Sequence, residues 1–388
     1  MFSTVWTLNG AAYGCVWPFV ALYAARQGLS LAAIGVLSAL GAASAAALQP
    51  LLGRLLDRTQ RPRTILAATT VGGALGYVGL AHVRAAPLLV LCAALGMAAF
   101  YGTRVVLVPL TLTVLEQSGH GAARFARYRI CSPLGFTLTG IGGGLLLGHV
   151  SFGLLFSVGA LLYLAMGLSG LALPAPAPTQ DQRAVAAPVP AALRHPRRVL
   201  LTLALMALLY GLASSCSDTY VPLLMRHLHG SFLQVGLAGT IVTVVEVPLM
   251  LAFGTLADRG YRAVVLALGM ALLPLRFALY FLVPTPLQLL GVQLLDGPTF
   301  AAFAIVGISL LAAQTPAEER AWALSVYAAA GTVGPVVGPL LAGLVAGQVG
   351  LQPLFGLVAL GAGSVPAIVT LGLWPLLRHT PTVRHGAP

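Results

Sequence analysis

Long apolar runs, broken at short intervals by arginine or by proline and glycine, divide this chain into twelve segments. They predict helices 1 to 6 over 3–25, 30–56, 64–83, 87–115, 127–149 and 152–173, and helices 7 to 12 over 199–225, 231–257, 262–283, 287–313, 322–347 and 351–377. About 20 apolar residues cross the hydrocarbon core of a bilayer, so each run is long enough to span it. Runs such as Val199–Tyr210 show no alternation of apolar and polar positions, which excludes the strands of an outer-membrane barrel. The pattern therefore implies an all-α membrane protein of twelve transmembrane helices in two six-helix bundles. The only long polar stretch, 174–198, is rich in Pro and Ala and carries Asp181, Arg183, Arg194, Arg197 and Arg198; it reads as a cytoplasmic linker. The expected organisation is a bundle over 1–173, the linker 174–198, a second bundle over 199–377 and a cytoplasmic tail 378–388.

Composition sharpens this picture. Of the 388 residues 58% are hydrophobic and 8% charged, with a mean hydropathy of +0.93, whereas roughly a quarter of residues are charged in soluble proteins. The formal net charge of +12 comes with 21 basic residues, every one an arginine. In a membrane protein their distribution matters more than their sum. With the chain started in the cytoplasm, Arg26, Arg84 and Arg226 alone fall beyond the far face and Arg104 and Arg276 inside spans, while the rest collect in cytoplasmic loops, helix ends and tail. Both termini are thus expected in the cytoplasm, in a multi-pass protein of the cell membrane with no nucleic-acid partner. Cys15, Cys92, Cys131 and Cys216 stand singly without metal-ligand spacing, so no zinc site or disulfide framework is expected. His227 and His229 are too few to change that. Met1–Trp6 lacks the basic region of a cleavable signal, so the first apolar run is expected to remain as helix 1.

The halves repeat. Pro18 near the end of helix 1 is matched by Pro222 near the end of helix 7. Gly35 stands 22 residues before Asp57, and Gly236 stands 22 before Asp258. Both intervals close alike, in Gly53-x-x-x-Asp57-Arg58 with Arg61 following and in Gly254-x-x-x-Asp258-Arg259 with Arg262 following. Parallel duplication of a six-helix unit is a transporter architecture, with substrate near the bilayer midplane.

The segment Gln49-Pro50-Leu51-Leu52-Gly53-Arg54-Leu55-Leu56-Asp57-Arg58 resembles the loop 2-3 signature of the major facilitator superfamily. That resemblance implies a gating motif of Gly53, Asp57, Arg58 and Arg61, with a second copy in Gly254, Asp258 and Arg259. Gly53 is expected to let helix 2 approach a neighbour closely, and Asp57 to engage a facing helix N-terminus. Pro18-Phe19-Val20-Ala21-Leu22-Tyr23, Arg127-Tyr128-Arg129-Ile130 with Gly135-Phe136, Glu246-Val247-Pro248, Arg276, Asp296-Gly297-Pro298-Thr299-Phe300 and Thr315-Pro316-Ala317-Glu318-Glu319-Arg320 resemble, in order, segments of the branch containing the lactose and phenylpropionate permeases. Within that resemblance the sugar-reading residues are altered. Thr111 and Leu112 stand at the depth of a helix 4 Glu, Phe136 replaces a Trp, and Asp296 and Thr299 replace a His and a Glu. The coupling pair matched by Glu246 and Arg276 survives better.

Arg104, Glu246, Arg276 and Asp296 lie well inside predicted spans. An ionised side chain there costs on the order of 3 kcal/mol on insertion scales and is a functional-site hypothesis by default. Glu246, with Arg276 and Asp296, is the candidate for proton coupling; the competing reading of Glu246 is a structural acid locked to Arg276. Candidate substrate contacts are Asn9, Tyr13 and Trp17 at four-residue spacing on helix 1, Arg104, Arg129 and Phe136, Ser214 and Asp218 on a helix 7 stripe with Tyr210 and Ser217, and Gln293, Thr299 and Phe300 on a helix 10 stripe with Asp296 and Phe303. Arg104 either binds a substrate anion or pairs with an acid on another helix. Arg129 is either a site residue or a positive-inside residue.

These residues define a non-enzymatic, monomeric secondary transporter of a small organic solute working by alternating access. Proton-coupled symport is expected, with no cofactor beyond the coupling proton and no metal. The surplus of Arg104, Arg129 and Arg276 favours a small amphipathic organic acid. The alternatives are a proton-driven efflux antiporter for drugs or sugars, and a receptor or scaffold. Efflux carriers often have Gly-Pro-x-x-Gly-Gly in helix 5; here helix 5 has Ser132-Pro133-Leu134-Gly135, and Gly334-Pro335-Val336-Val337-Gly338 lies in helix 11 instead. No Gly-x-Ser-x-Gly or His-Glu-x-x-His occurs to suggest an enzyme.

Overall fold

A computed structural model describes residues 1–117, 122–174 and 197–378. Among them run twelve helical rods: α1 Phe2–Arg26, α2 Leu31–Thr59, α3 Pro62–His82, α4 Ala86–Gln117, α5 Ala122–Leu146, α6 Phe152–Leu171, α7 Arg197–His227, α8 Phe232–Leu256, α9 Arg262–Leu282, α10 Pro286–Gln314, α11 Ala317–Val349 and α12 Leu351–Gly372. A last turn, Trp374–Arg378, follows α12. The rods are those expected from the apolar pattern. Arg197 and Arg198, expected in the linker, begin α7 instead. Nearly all of the expected linker, and the tail beyond Arg378, lie outside the described residues, as do Asp181, Arg183, Arg194 and Arg384.

Sequence chemistry sets the helix ends. Ser30 accepts from Ala33 N–H, Ser151 from Leu154 N–H and Thr285 from Gln288 N–H. Ser231 and Gln234 form a reciprocal capping box, each side chain accepting from the other's N–H. At the repeated motif each copy ends in a left-handed residue, Gln60 with φ 53° and Gly260 with φ 95°. Gly260 lies in a π turn, Ala257–Tyr261, that joins α8 to α9.

The chain divides into two compact units. One takes the described residues up to 174 together with Asp218–Thr240 and Pro339–Gln348; the other takes the rest of the described chain from α7 onward. In the first, α1 packs on α5 and α6, α2 on α4, and α3 on α4 and α6. A Cβ on Gly10 would collide with Ser132 O, and one on Gly135 with Thr7 O, so the backbones of α1 and α5 nearly touch. Gly35 on α2 is pressed against Pro339 O, and Gly236 on α8 against Gly140 O. In the second unit Gly211 of α7 meets Gly334 of α11, with Gly338 against Leu212 and Ser215. The Gly-Pro-x-x-Gly segment is thus where α11 packs on α7.

Gly53 departs from expectation: a Cβ there would have nothing within 4 Å, and one on Gly254 would meet only Ile305 at 4.0 Å. The glycines that enforce close approach are the earlier members of the repeat, Gly35 and Gly236. This predicts that Gly236→Ala lowers the apparent melting temperature in detergent, at an overpacking cost of about 1–3 kcal/mol. Gly53→Ala leaves the melting temperature unchanged or raises it slightly, since alanine favours a helix interior by about 0.5–1 kcal/mol.

Candidate functional site

In the first unit α1 supplies Asn9, Tyr13 and Trp17. Asn9 is fully buried: its amide donates to Thr103 Oγ1 on α4 at 2.7 Å, and its carbonyl oxygen accepts from Ser132 Oγ on α5 at 3.5 Å. Asn9 is therefore a three-helix tie rather than the open substrate contact its spacing suggested. Trp6, one turn earlier, donates to Thr111 Oγ1 at 3.3 Å. Beyond Asn9 the face becomes aromatic. Tyr13 stacks on Phe100 of α4 at 3.8 Å and on Trp17 at 5.4 Å between centroids, with Phe136 of α5 tilted against it at 5.9 Å. Tyr13, Trp17, Tyr101 and Phe136 are half-buried.

Arg104 belongs to this wall. Its guanidinium carbon lies 4.7 Å from the Phe100 ring centroid, a favourable cation–π distance. Its Nε is buried and, among the described residues, has no hydrogen-bond partner. Among the described residues no acid is ion-paired with Arg104, the ion pair found there lying elsewhere. Arg129 is exposed near the start of α5 and lies within electrostatic range of Arg104.

The second unit holds that ion pair. Arg276 on α9 is 1% exposed and Asp296 on α10 is 14% exposed. The guanidinium also donates to Tyr280 Oη at 2.9 Å and to Ser217 Oγ at 2.6 Å. Tyr280 in turn donates to Gln293 Oε1. Thr299 Oγ1 donates to Asp296 O at 2.8 Å and reaches its carboxylate at 3.4 Å. The carboxylate ion-paired with Arg276 is thus Asp296, where the sequence reading had matched Arg276 with Glu246. Glu246 is half-buried on α8. Tyr280 escaped sequence reasoning although it lies four residues after Arg276 on one helical face.

The helix 10 stripe is reorganised. Residues 293–295 form a 3-10 turn and 302–307 a π turn, around Pro298, which has no N–H to give the ladder. Gln293 and Thr299 are buried inside the Arg276 network, while Phe300 and Phe303 are half-buried. Phe303 stacks between Tyr210 of α7 at 4.3 Å and Tyr327 of α11 at 5.7 Å. Ser214 Oγ, one turn after Tyr210, is buried without a hydrogen-bond partner among the described residues. Asp218 is exposed.

At the gating motif Asp57, Arg58, Arg61, Asp258 and Arg259 are all exposed. The Asp57 carboxylate engages no helix N-terminus among the described residues; the contact there is Gln60 Nε2 donating to Asp57 O at 2.9 Å. Among the described residues no three His, Cys, Asp or Glu come together as a metal site.

Twelve apolar rods in an internally repeated chain, with polar and charged groups held inside both halves, define a secondary transporter of the major facilitator fold, not an enzyme. The chain belongs to the MFS_1 like family, whose profile matches residues 1–357. It is 28% identical to a putative sugar efflux transporter of Deinococcus radiodurans over 361 residues, 91% of this chain and 92% of that protein. It is also 28% identical to a maltose permease of Geobacillus stearothermophilus, over 67% of this chain and 65% of that one. Among solved structures, a mutant of the nucleoside transporter NupG shares the fold with a TM-score of 0.86 at 19% identity, covering 96% of this chain and 98% of that one.

A buried ion pair is costly to halve. Arg276→Ala and Asp296→Ala are each expected to destabilise by about 3–5 kcal/mol, because each leaves a lone buried charge. The double replacement by leucine regains most of that loss. Apparent melting temperatures of the four proteins in one detergent check this.

Proposed function

We propose that this chain is a proton-coupled transporter that moves a small polar, ring-shaped solute by alternating access, through the cell membrane and with both termini in the cytoplasm. The observation that carries the reading is the aromatic wall of half-buried Trp17, Tyr13 and Phe136 around buried Phe100, with Arg104 over the Phe100 ring. Flat aromatic surface receives the apolar face of a ring, and a few convergent polar groups orient it. The solutes named for the relatives, sugar, maltose and nucleoside, share such a ring. The organic-acid reading keeps one support, the unpartnered Nε of Arg104. Of its other two cations Arg276 is paired with Asp296, while Arg129 is exposed within electrostatic range of Arg104.

Competition assays at fixed pH separate these readings. Neutral sugars and nucleosides are expected to compete better than aromatic carboxylates, and Arg104→Gln to weaken neutral solutes by no more than about tenfold, the loss of one hydrogen bond. Carboxylates competing better than their amides, with a loss of a hundredfold or more in Arg104→Gln, would restore the organic acid.

For coupling, protonation of Asp296 would release Arg276, which Ser217 and Tyr280 still hold. Asp296→Asn is accordingly expected to lose accumulation driven by a proton gradient while exchange of labelled solute persists. Glu246→Gln is expected to do the same if both acids carry the proton; full accumulation in either variant removes that acid from the mechanism. Symport is the proposed direction, and the efflux reading is supported by the Deinococcus relative. The sign of the gradient that drives uptake into vesicles of known sidedness decides between them. Asp57→Asn, at an exposed position, is expected to slow exchange while leaving binding affinity and melting temperature unchanged.

A further inference from the structure

Between α2, α3 and α4 of the first unit lies a cavity of about 470 Å³, away from the aromatic wall. Its sides are largely apolar, built by Leu52 and Leu55 of α2, Ala68 and Gly72 of α3 and Leu95 of α4; Thr59, Arg61 and Thr64 line one end, and Thr69, partway along, has its hydroxyl tied to Ile65 O and Leu66 O. Arg61 to Gly72 is about 16 Å of helix at 1.5 Å per residue, so the cavity is an elongated crevice with a cationic mouth. Leu55 and Leu95, two of its walls, are 45% and 40% exposed, and neighbouring Leu51 is 57% exposed. The crevice therefore opens on the surface that meets lipid.

The mouth is prepared for an anion. Arg61 is exposed and precedes Pro62, the first residue of α3. That helix starts without a side-chain cap, so N–H groups of its first turn remain open at its positive end. Arg63 is half-buried beside them, and its Nε has no hydrogen-bond partner among the described residues. Arg54 and Arg58 on the last turns of α2 add further positive charge.

We propose that this crevice binds one anionic phospholipid, with an acyl chain between α2, α3 and α4 and the phosphate against Arg61 and the start of α3. An apolar slot open to the bilayer and closed by cationic groups at one end matches an amphiphile with a single anionic end. A neutral polar solute would find along the walls only the Thr69 hydroxyl, which already donates to its own helix. The crevice is separate from the residues proposed to bind the transported solute.

The test uses the purified full-length chain and native mass spectrometry, with palmitoyl-oleoyl phosphatidylglycerol and phosphatidylcholine titrated separately. Retention of phosphatidylglycerol is expected to exceed that of phosphatidylcholine by about fivefold, the preference one arginine near an anionic surface supplies. Arg61→Gln is expected to lower that ratio, and an unchanged ratio in that variant counts against the cationic mouth. Ala68→Phe, which fills the crevice from an exposed position, is expected to reduce retention of both lipids; Leu95→Trp repeats the obstruction from α4 should the first variant fail to fold. Equal retention of the two lipids by the unaltered chain overturns the proposal. So does undiminished retention in the filled variants, which would place any lipid on the outer surface rather than in the crevice.

Discussion

Hydrocarbon tails are as apolar as leucine, so inside a bilayer the hydrophobic effect cannot press one helix against another. Close backbone approach and hydrogen bonds between helices must do it instead. This constraint explains where the chain places its glycines and its few buried polar side chains. Gly10 and Gly135 bring α1 against α5, and Gly211 and Gly334 bring α7 against α11. Asn9 adds hydrogen bonds where α1, α4 and α5 meet, and Arg276 does so where α7, α9 and α10 meet. Large exposed leucines, Leu138, Leu168, Leu251 and Leu360 among them, are left for lipid.

The same constraint decides what was legible in the sequence. Helices in lipid must satisfy every backbone group internally, so apolar runs mapped directly onto rods. The duplication was legible because its landmarks are spaced along single helices. Pairing between helices was not. Arg276 was matched with Glu246 by resemblance, while its ion-pair partner, Asp296, sits on the adjacent rod. Asn9 shares a stripe with Tyr13 and Trp17, yet a fourfold spacing cannot say that Thr103 and Ser132 enclose it. On α10 the spacing argument itself weakens, because 3-10 and π turns shift the register on either side of Pro298. Such irregular turns recur at functional sites, so the segment hardest to read by period is one where chemistry is expected.

The two repeats carry different chemistry on a shared plan. The first offers stacked rings and one cation, with a satisfied asparagine closing the far side. The second offers a charge pair set in hydroxyl and amide groups. A wall of rings changes its energy little with protonation state, whereas a buried pair changes sharply when one partner is neutralised. Recognition of a solute thus fits the first repeat, and response to a proton fits the second.

Arg104 tests that division, because it is the charge placed well inside a span of the first repeat. A guanidinium in a low-dielectric region persists only where a counter-charge, an aromatic face, water or a ligand compensates its desolvation. Among the described residues no carboxylate is ion-paired with it, Asp218 acts at longer range on Tyr13 and Tyr101 beside it, and the Phe100 face supplies part of the compensation. The remaining donors must therefore turn to water or to what the transporter carries, and this residue is where hydroxyl and carboxylate cargoes would be told apart. A bidentate carboxylate would satisfy two of those donors with charge, while a sugar hydroxyl would satisfy one and leave the cation to the ring. The aromatic wall serves either cargo, so the choice between them falls on this single side chain.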